Sequence, residues 1–140
     1  MQTKYIYIAG LLDGEGYLGL GKWNQERYKY KYTYKTRIII ANCNLKLLEW
    51  IKNNFGGYIS KKKIKKKNWT QGYNLQIGNI QNWLPKVVPY LVGKKQKAIL
   101  LLEAQELLNQ RKKKTNSAGK LYLERLEEIY LLLKEKEWLL

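Results

Sequence analysis

The stretch Ile8-Ala9-Gly10-Leu11-Leu12-Asp13-Gly14-Glu15-Gly16 decides the fold of this chain. Apolar residues recur at helical spacing, which predicts a helix over Thr3–Asp13 that ends at Gly14 and Gly16. The small-residue patch Ala9-Gly10 allows a second helix to approach closely. A helix C-terminus carries free carbonyls and partial negative charge, and Glu15 adds a carboxylate there. We therefore predict an oxygen-rich corner suited to a hard divalent cation.

The charge balance of the chain points to a polyanionic partner. Lys and Arg number 27 against 11 Asp and Glu, which gives a net charge of +16. Such an excess is self-repulsive in a compact protein, and nucleic acid is the leading candidate to neutralise it. An anionic membrane surface is the weaker alternative, because no Lys-rich amphipathic segment stands apart from the fold. Without a spanning run or a signal peptide, we expect an intracellular protein with no membrane partner.

The absence of histidine and the presence of one cysteine, Cys43, limit the available chemistry. A zinc site needs nitrogen and sulfur ligands that this chain cannot supply, and every His-dependent triad is excluded. Any bound metal is therefore held by oxygen, which favours magnesium, manganese or calcium. We expect Mg²⁺ or Mn²⁺ as the cofactor, because such an ion at the Glu15 corner can activate water and stabilise the leaving oxygen in phosphodiester cleavage.

Strand patterns follow the first helix. Tyr17–Lys22 alternates, and the next segment is the clearest period-two pattern in the chain. One face of this segment carries tyrosines (Tyr28, Tyr30, Tyr32 and Tyr34). The other face is largely cationic (Lys29, Lys31, Thr33, Lys35 and Arg37). Further strands are predicted at Tyr58–Lys63 and Gly72–Gly78, and helices at Asn44–Phe55, Gln81–Tyr90, Lys94–Arg111 and Leu121–Trp138. We predict one α+β domain over residues 1–140, in the order αββαββα, with a four-stranded antiparallel saddle sheet and C-terminal helices.

The segment Ile8–Gly16, read as IAGLLDGEG, closely resembles the signature of the LAGLIDADG homing endonuclease family. The order of helices and strands, the basic sheet face and the Lys94-Lys95-Gln96 segment before a long helix are also similar, so the resemblance covers roughly the whole chain. The signature occurs once. In this family a single copy implies a homodimer, in which paired sheets form one saddle over double-stranded DNA.

The resemblance also implies roles for individual residues. Glu15 matches the catalytic acid that binds metal, and the carbonyl of Gly14 matches a backbone metal contact. Asn42 lies where the family places an amide that positions water or the metal's ligands. Lys94 lies where a basic residue approaches the scissile phosphate. Residues matching the dimer interface are Ala9, Gly10 and Asp13, of which Asp13 also supports the helix end.

The sheet face is the predicted DNA-binding surface, because a large face of one charge sign is rare unless a polyanion neutralises it. Amide side chains on the strands can read base edges through paired donors and acceptors. The candidates for DNA contact are Lys22, Gln25, Lys29, Lys31, Thr33, Lys35, Arg37, Ser60, Lys62, Asn74 and Gln76. For Trp23 and Trp69, packing is favoured over stacking on DNA.

The resemblance implies an intron-encoded endonuclease that makes metal-dependent double-strand breaks in a long, near-palindromic DNA target. Two alternatives keep the same fold: a maturase that binds its own intron RNA, and a catalytically inactive DNA-binding repressor. A basic ribosomal or RNA-binding protein is a third alternative, but it leaves the acidic corner at Glu15 unexplained.

Overall fold

The computed structural model describes residues 2–24, 32–64, 66, 70–111 and 118–135. Its elements follow the predicted order. They are α1 (Gln2–Glu15), β1 (Gly16–Asn24), β2 (Tyr32–Asn42), α2 (Leu45–Phe55), β3 (Tyr58–Lys61), β4 (Tyr73–Ile77), α3 (Ile80–Val87), a 3₁₀ turn (Val88–Tyr90), α4 (Lys95–Arg111) and α5 (Ala118–Lys134). The α+β prediction with a four-stranded antiparallel sheet is thereby confirmed.

The sheet has the strand order β1-β2-β4-β3, so β2 and β4 are its central strands. Neighbouring strands are antiparallel, with Gly19 opposite Arg37 and Ser60 opposite Asn74. Successive side chains along each strand point to opposite faces, which gives the sheet one apolar face and one polar face.

The apolar face packs against the helices and forms the core. Its fully or nearly fully buried residues are Leu18, Leu20, Ile38, Ile40, Leu75 and Ile77. Helices α1, α2, α4 and α5 contact the strands from this side. No helix covers the opposite face in the described part of the chain, so that face stays open. Nor is any helix there long and apolar enough to cross a bilayer.

The join between α1 and β1 differs from the prediction. Gly14 does not end the helix, because α1 continues through Glu15 and β1 begins at the next residue, Gly16. A Cβ atom at Gly16 would lie 2.7 Å from the Leu12 side chain and 2.8 Å from its Cα atom. The chain can therefore change directly from helix to strand only because Gly16 lacks a side chain.

Lys22 does not face DNA, contrary to the prediction. It shares the inner face of β1 with Leu18 and Leu20, because side chains alternate along a strand. Its ammonium group donates to the Glu127 carboxylate on α5 at 2.7 Å and lies 4.3 Å from the centre of the Tyr32 ring. Tyr34 donates to the same carboxylate. Lys22 therefore attaches α5 to the sheet.

This cluster predicts a pH dependence of stability. Burial alone would raise the pKa of Glu127, but hydrogen bonds from Lys22 and Tyr34, with the charges of Lys22 and Lys134, lower it on balance. A carboxylate with a depressed pKa stabilises the fold above the unfolded value of about 4.3. That contribution disappears as pH falls through the folded pKa. Because the ion pair is partly exposed, we expect it to contribute about 1 kcal/mol or less.

Thermal unfolding of the wild type and of Glu127→Gln across pH 3 to 8 measures the pH dependence of the stability that Glu127 contributes. The wild type should be the more stable protein at neutral pH, and the difference should shrink below about pH 4. Glu124→Gln is the control for the loss of one carboxylate from the same helix. A difference that is constant across this range would contradict the ionised pairing.

Candidate functional site

Glu15 and Asn42 meet at one end of the sheet. Because Gly16 pairs with Ile40 across β1 and β2, the residue before β1 lies next to the end of β2. Asn42 donates from Nδ2 to Oε2 of the exposed Glu15 carboxylate at 3.0 Å. Its Oδ1 accepts from the backbone N–H of Asn44 at 2.8 Å. That second bond fixes which side of the amide faces Glu15, so Asn42 can orient this carboxylate only as a donor.

Asp13 joins α1 to the start of α4. Its two carboxylate oxygens accept from the backbone N–H groups of Val92 and Lys94, each at 2.9 Å. These donors belong to the segment that opens α4, where N–H groups lack partners within the helix. Asp13 was expected to support the end of its own helix, α1. In the structure it supports the start of α4 instead. Both oxygens of Asp13 accept hydrogen bonds from the backbone, whereas the hydrogen bond to the exposed Glu15 carboxylate involves one oxygen, Oε2, so Glu15 is the more available carboxylate.

Lys94 holds the same junction from the other side. Its Nζ donates to the carbonyl of Leu12 at 2.7 Å and to the carbonyl of Gly16. Burial, and then repulsion by Lys97, lower the pKa of Lys94. An ammonium group has three donors, so one N–H remains for another acceptor. The structure gives Lys94 a positioning role at the α1–β1 junction, and its contact with a scissile phosphate stays a prediction.

The donor set of this corner fits a hard divalent cation. Glu15 offers a carboxylate, and Gly14 lies in the last turn of α1, where carbonyls have no partner within the helix. Both are the oxygen ligands that Mg²⁺ prefers. Among the described residues no group of three or more His, Cys, Asp or Glu side chains comes together. The oxygen ligands that the described residues bring to this corner are thus the Glu15 carboxylate and the Gly14 carbonyl.

The open sheet face collects most of the predicted DNA contacts. Strand parity and partial or full exposure place Thr33, Lys35 and Arg37 of β2, Ser60 of β3, and Asn74 and Gln76 of β4 on it. Lys62, also exposed, follows β3 and continues the pairing by donating its backbone N–H to Gly72 at 2.9 Å. Gln25, Lys29 and Lys31 lie outside the described residues. Their roles remain predictions.

Two aromatic side chains on the open face were not predicted as site residues. Tyr17 is 51% exposed with its ring over Gly19, and Trp23 is 39% exposed with its ring over Gly21. Trp23 does pack, as expected, but against the backbone of its own strand. The available signal was the pair of glycines, Gly19 and Gly21, that stands between Tyr17 and Trp23 on the same face of β1 and leaves room for each ring.

The exposed side of α1 differs from the predicted dimer contact. Ala9 is 1% exposed and lies in the core of its own chain, so its side chain cannot reach a partner. Gly10 and Gly14 instead lie one turn apart and border open space, because a Cβ atom added at either would meet no neighbouring side chain within 4 Å. Ile6 and Tyr7, 51% and 49% exposed, extend this face. The sequence analysis did not single out Ile6, Tyr7 or Gly14 as part of this exposed side of α1.

Comparisons with known proteins agree with this architecture. A sequence model of the LAGLIDADG endonuclease family matches residues 8–105. Among curated proteins, no sequence matches significantly. The solved homing endonuclease I-CvuI, in complex with the I-CreI target and Mg, is 22% identical, with 99% of this chain and 87% of that chain covered and a TM-score of 0.73.

Two further solved structures resemble the chain to a similar degree. The archaeal intron-encoded homing endonuclease I-Vdi141I, complexed with DNA, is 23% identical over 97% of this chain and 87% of that chain, with a TM-score of 0.77. The homing endonuclease I-TnaI is 20% identical over 98% of this chain and 92% of that chain, with a TM-score of 0.73. At these identities the likeness establishes a common fold.

Proposed function

Because this chain belongs to the LAGLIDADG endonuclease family, we propose that it is a site-specific homing endonuclease that cuts both strands of a long, near-palindromic DNA target as a homodimer. The observation that carries the proposal is the exposed Glu15 carboxylate, oriented by Asn42 at the end of an open sheet face. The open face carries the proposed base-reading amides and cations, and the acidic, oxygen-rich corner lies at the end of the same sheet, where β1 begins and β2 ends.

Binding of double-stranded DNA is supported by charge and by shape. The net charge of +16 favours a polyanion. Lys35 and Arg37 project from a central strand of the open face, while Asn74 and Gln76 project from the neighbouring strand. Phosphate contacts by cations set the position of a protein on DNA, and amides can read base edges in the major groove. I-CvuI and I-Vdi141I, which share the fold, were both solved with DNA.

Mg²⁺ or Mn²⁺ is the proposed cofactor, and Glu15 with the Gly14 carbonyl would hold it. The I-CvuI structures were determined with Mg or Ca. When bound, the ion supplies an activated water and stabilises charge on the phosphodiester. The chain's own residues prepare that corner. Asn42 orients the Glu15 carboxylate, and Lys94 with Asp13 fixes the end of α1 against α4.

The open side of α1 supports a homodimer. Gly10 and Gly14 leave a groove in which a second helix can approach closely, and the exposed Ile6 and Tyr7 provide apolar area beside it. Tyr7 also packs edge-on against Trp50 of α2, with ring centres 5.1 Å apart. A two-fold pair presents the same sheet face twice, so its target is expected to be near-palindromic, with one catalytic corner for each strand.

Homing from an intron, and an intracellular site of action, complete the proposal. Support comes from I-Vdi141I, which shares the fold and is intron-encoded. Incubation of the purified protein with a randomised DNA library, with and without Mg²⁺, tests the function as a whole. We expect Mg²⁺-dependent double-strand cuts at one near-palindromic sequence. Binding without any cut in Mg²⁺ or Mn²⁺ would contradict the proposed activity.

Asn42→Ala should slow cleavage by about 10- to 100-fold, the usual effect of removing a residue that orients a metal ligand. The Glu15 carboxylate keeps its charge but loses the donor that fixes one of its oxygens. Single-turnover cleavage rates over a range of Mg²⁺ concentrations measure the effect, and excess Mg²⁺ should restore part of the lost rate.

Asn54→Ala is the control for Asn42→Ala, because within the described part of the chain Asn54 donates to the carbonyl of Trp50 on the exposed side of α2. It should cleave at the wild-type rate. Equal rates for Asn42→Ala and the wild type at limiting Mg²⁺ would show that Asn42 does not orient the acid.

A further inference from the structure

Trp23 of β1 and Arg37 of β2 form a stacked pair on the open sheet face. The Arg37 guanidinium lies over the Trp23 ring, with 4.9 Å from its Cζ atom to the ring centre. Both side chains occupy the space that a side chain at Gly21 would fill. A Cβ atom there would lie 2.5 Å from Cη2 of Trp23 and 3.2 Å from Nε of Arg37. The absence of a side chain at Gly21 is therefore what allows the stack to lie flat on the sheet.

The stack leaves Arg37 with one usable edge. Its Nε is buried and has no hydrogen-bond partner within the described structure. No carboxylate in that same part of the chain pairs with Arg37. A buried donor without a partner is costly and needs a compensating gain. Stacking on an aromatic ring holds the guanidinium plane in place, which lowers the entropy lost when its terminal nitrogens bind a ligand.

The position of Arg37 favours a base over a phosphate as that ligand. β2 is a central strand, and Arg37 lies opposite Gly19 in the middle of its pairing with β1. When a sheet lies along a major groove, its centre faces base edges and its rims approach the phosphates. A fixed guanidinium edge matches the two acceptors, O6 and N7, that guanine shows in the major groove.

We propose that Arg37 recognises a guanine at one fixed position in each half of the DNA target, and that Trp23 is the positioning residue that holds Arg37 for this contact. The inference rests on the proposed DNA-binding function. It adds a specificity-determining pair, Trp23 and Arg37, and the base that the pair reads. Because the chain pairs symmetrically, the same guanine should be required in both half-sites.

The experiment is a binding selection on a DNA library randomised across the target, performed with the full-length dimer in Ca²⁺ so that cleavage is not needed. Arg37→Ala removes the reading group. Trp23→Leu removes the ring and keeps an apolar side chain, whereas Trp23→Phe keeps a ring. Gly21→Ala retains both Trp23 and Arg37 in the chain, but its added methyl group pushes the Trp23 ring out of the stack. Thermal unfolding of each variant confirms that it is folded.

Wild-type protein should prefer guanine at one position per half-site by about 5- to 150-fold, the range for a bidentate contact. Arg37→Ala, Trp23→Leu and Gly21→Ala should each flatten that preference at that position alone, and Trp23→Phe should keep most of it. Lys35→Ala, the neighbouring exposed cation, is the matched control. It should weaken binding to all sequences similarly and reduce the salt dependence, as a phosphate contact does.

Two results would overturn the inference, and they are distinguishable. If the wild type selects a target but Arg37→Ala weakens binding without changing any base preference, Arg37 contacts phosphate and only this inference fails. The same holds if Trp23→Leu and Gly21→Ala leave the preference intact, because Arg37 would then need no positioning residue. If the wild type selects no sequence at all, the proposed endonuclease function fails together with the inference.

Discussion

Glu15→Gln should reduce DNA cleavage by about a thousandfold or more while leaving DNA binding intact. Glu15 is the available carboxylate at the corner, since both oxygens of Asp13 accept backbone hydrogen bonds. Loss of a metal-bound carboxylate removes several kcal/mol of transition-state stabilisation, and each 1.4 kcal/mol corresponds to about tenfold in rate. Glutamine keeps the shape of the side chain and an oxygen that can accept from Asn42, so the fold of the corner should not change.

Single-turnover cleavage and equilibrium binding to the same DNA separate the two effects. Glu49→Gln is the matched control, because Glu49 is an exposed glutamate on α2 away from the corner, and it should cleave normally. Loss of binding by Glu15→Gln, in parallel with loss of cleavage, would mean that Glu15 supports the structure or the DNA contact and not the reaction.

Gly10→Leu should convert the proposed dimer into a folded monomer and thereby abolish double-strand cleavage. A Cβ atom at this position meets nothing within its own chain, so the variant has room to fold. Leucine in place of glycine inside a helix should even stabilise the isolated chain by up to about 1 kcal/mol. The added side chain, however, fills the groove that a second α1 helix needs for close approach. Stability and assembly should thus change in opposite directions.

Analytical ultracentrifugation and chemical denaturation measure assembly and stability separately. Gly78→Leu is the control, since Gly78 is also exposed with open space around it but lies outside α1. It should remain dimeric and active. A Gly10→Leu protein that sediments as a dimer and still cuts both strands would show that the subunits pair through another surface.

Periodicity was sufficient to predict the elements but not the direction of every side chain. Asn44 was expected to begin α2, and its side chain accepts from the Leu47 N–H at 3.2 Å. Lys22 was expected to bind DNA because it is a lysine in a basic chain. The alternation of Leu18 and Leu20 placed it on the inner face, and its partner Glu127 is too distant in sequence for local patterns to indicate. Strand parity was therefore more informative than charge.

The dimer face shows a second limit of sequence patterns. Ala9 and Gly10 are both small and adjacent, so composition could not separate them. In a helix, neighbours in sequence point about 100° apart, and Ala9 is buried in the core while Gly10 faces outward. The contact between Asn42 and Glu15 depends on the register of β1 and β2, which local patterns do not determine. Only the signature segment indicated that Glu15 has a chemical role.

The direct passage from α1 into β1 at Gly16 joins three parts of the protein in one uninterrupted stretch of chain. The exposed side of α1, the carboxylate of Glu15 and the strand that carries Trp23 follow each other with no loop between them. A strand rises about 3.3 Å per residue, close to the rise of about 3.4 Å per base pair along the axis of B-DNA. Because every second side chain faces the open side, outward side chains of β1 would recur about once per two base pairs along the proposed groove. Substitutions on the strand would change a contact at one position, whereas one inserted residue would turn every later outward side chain of β1 toward the core.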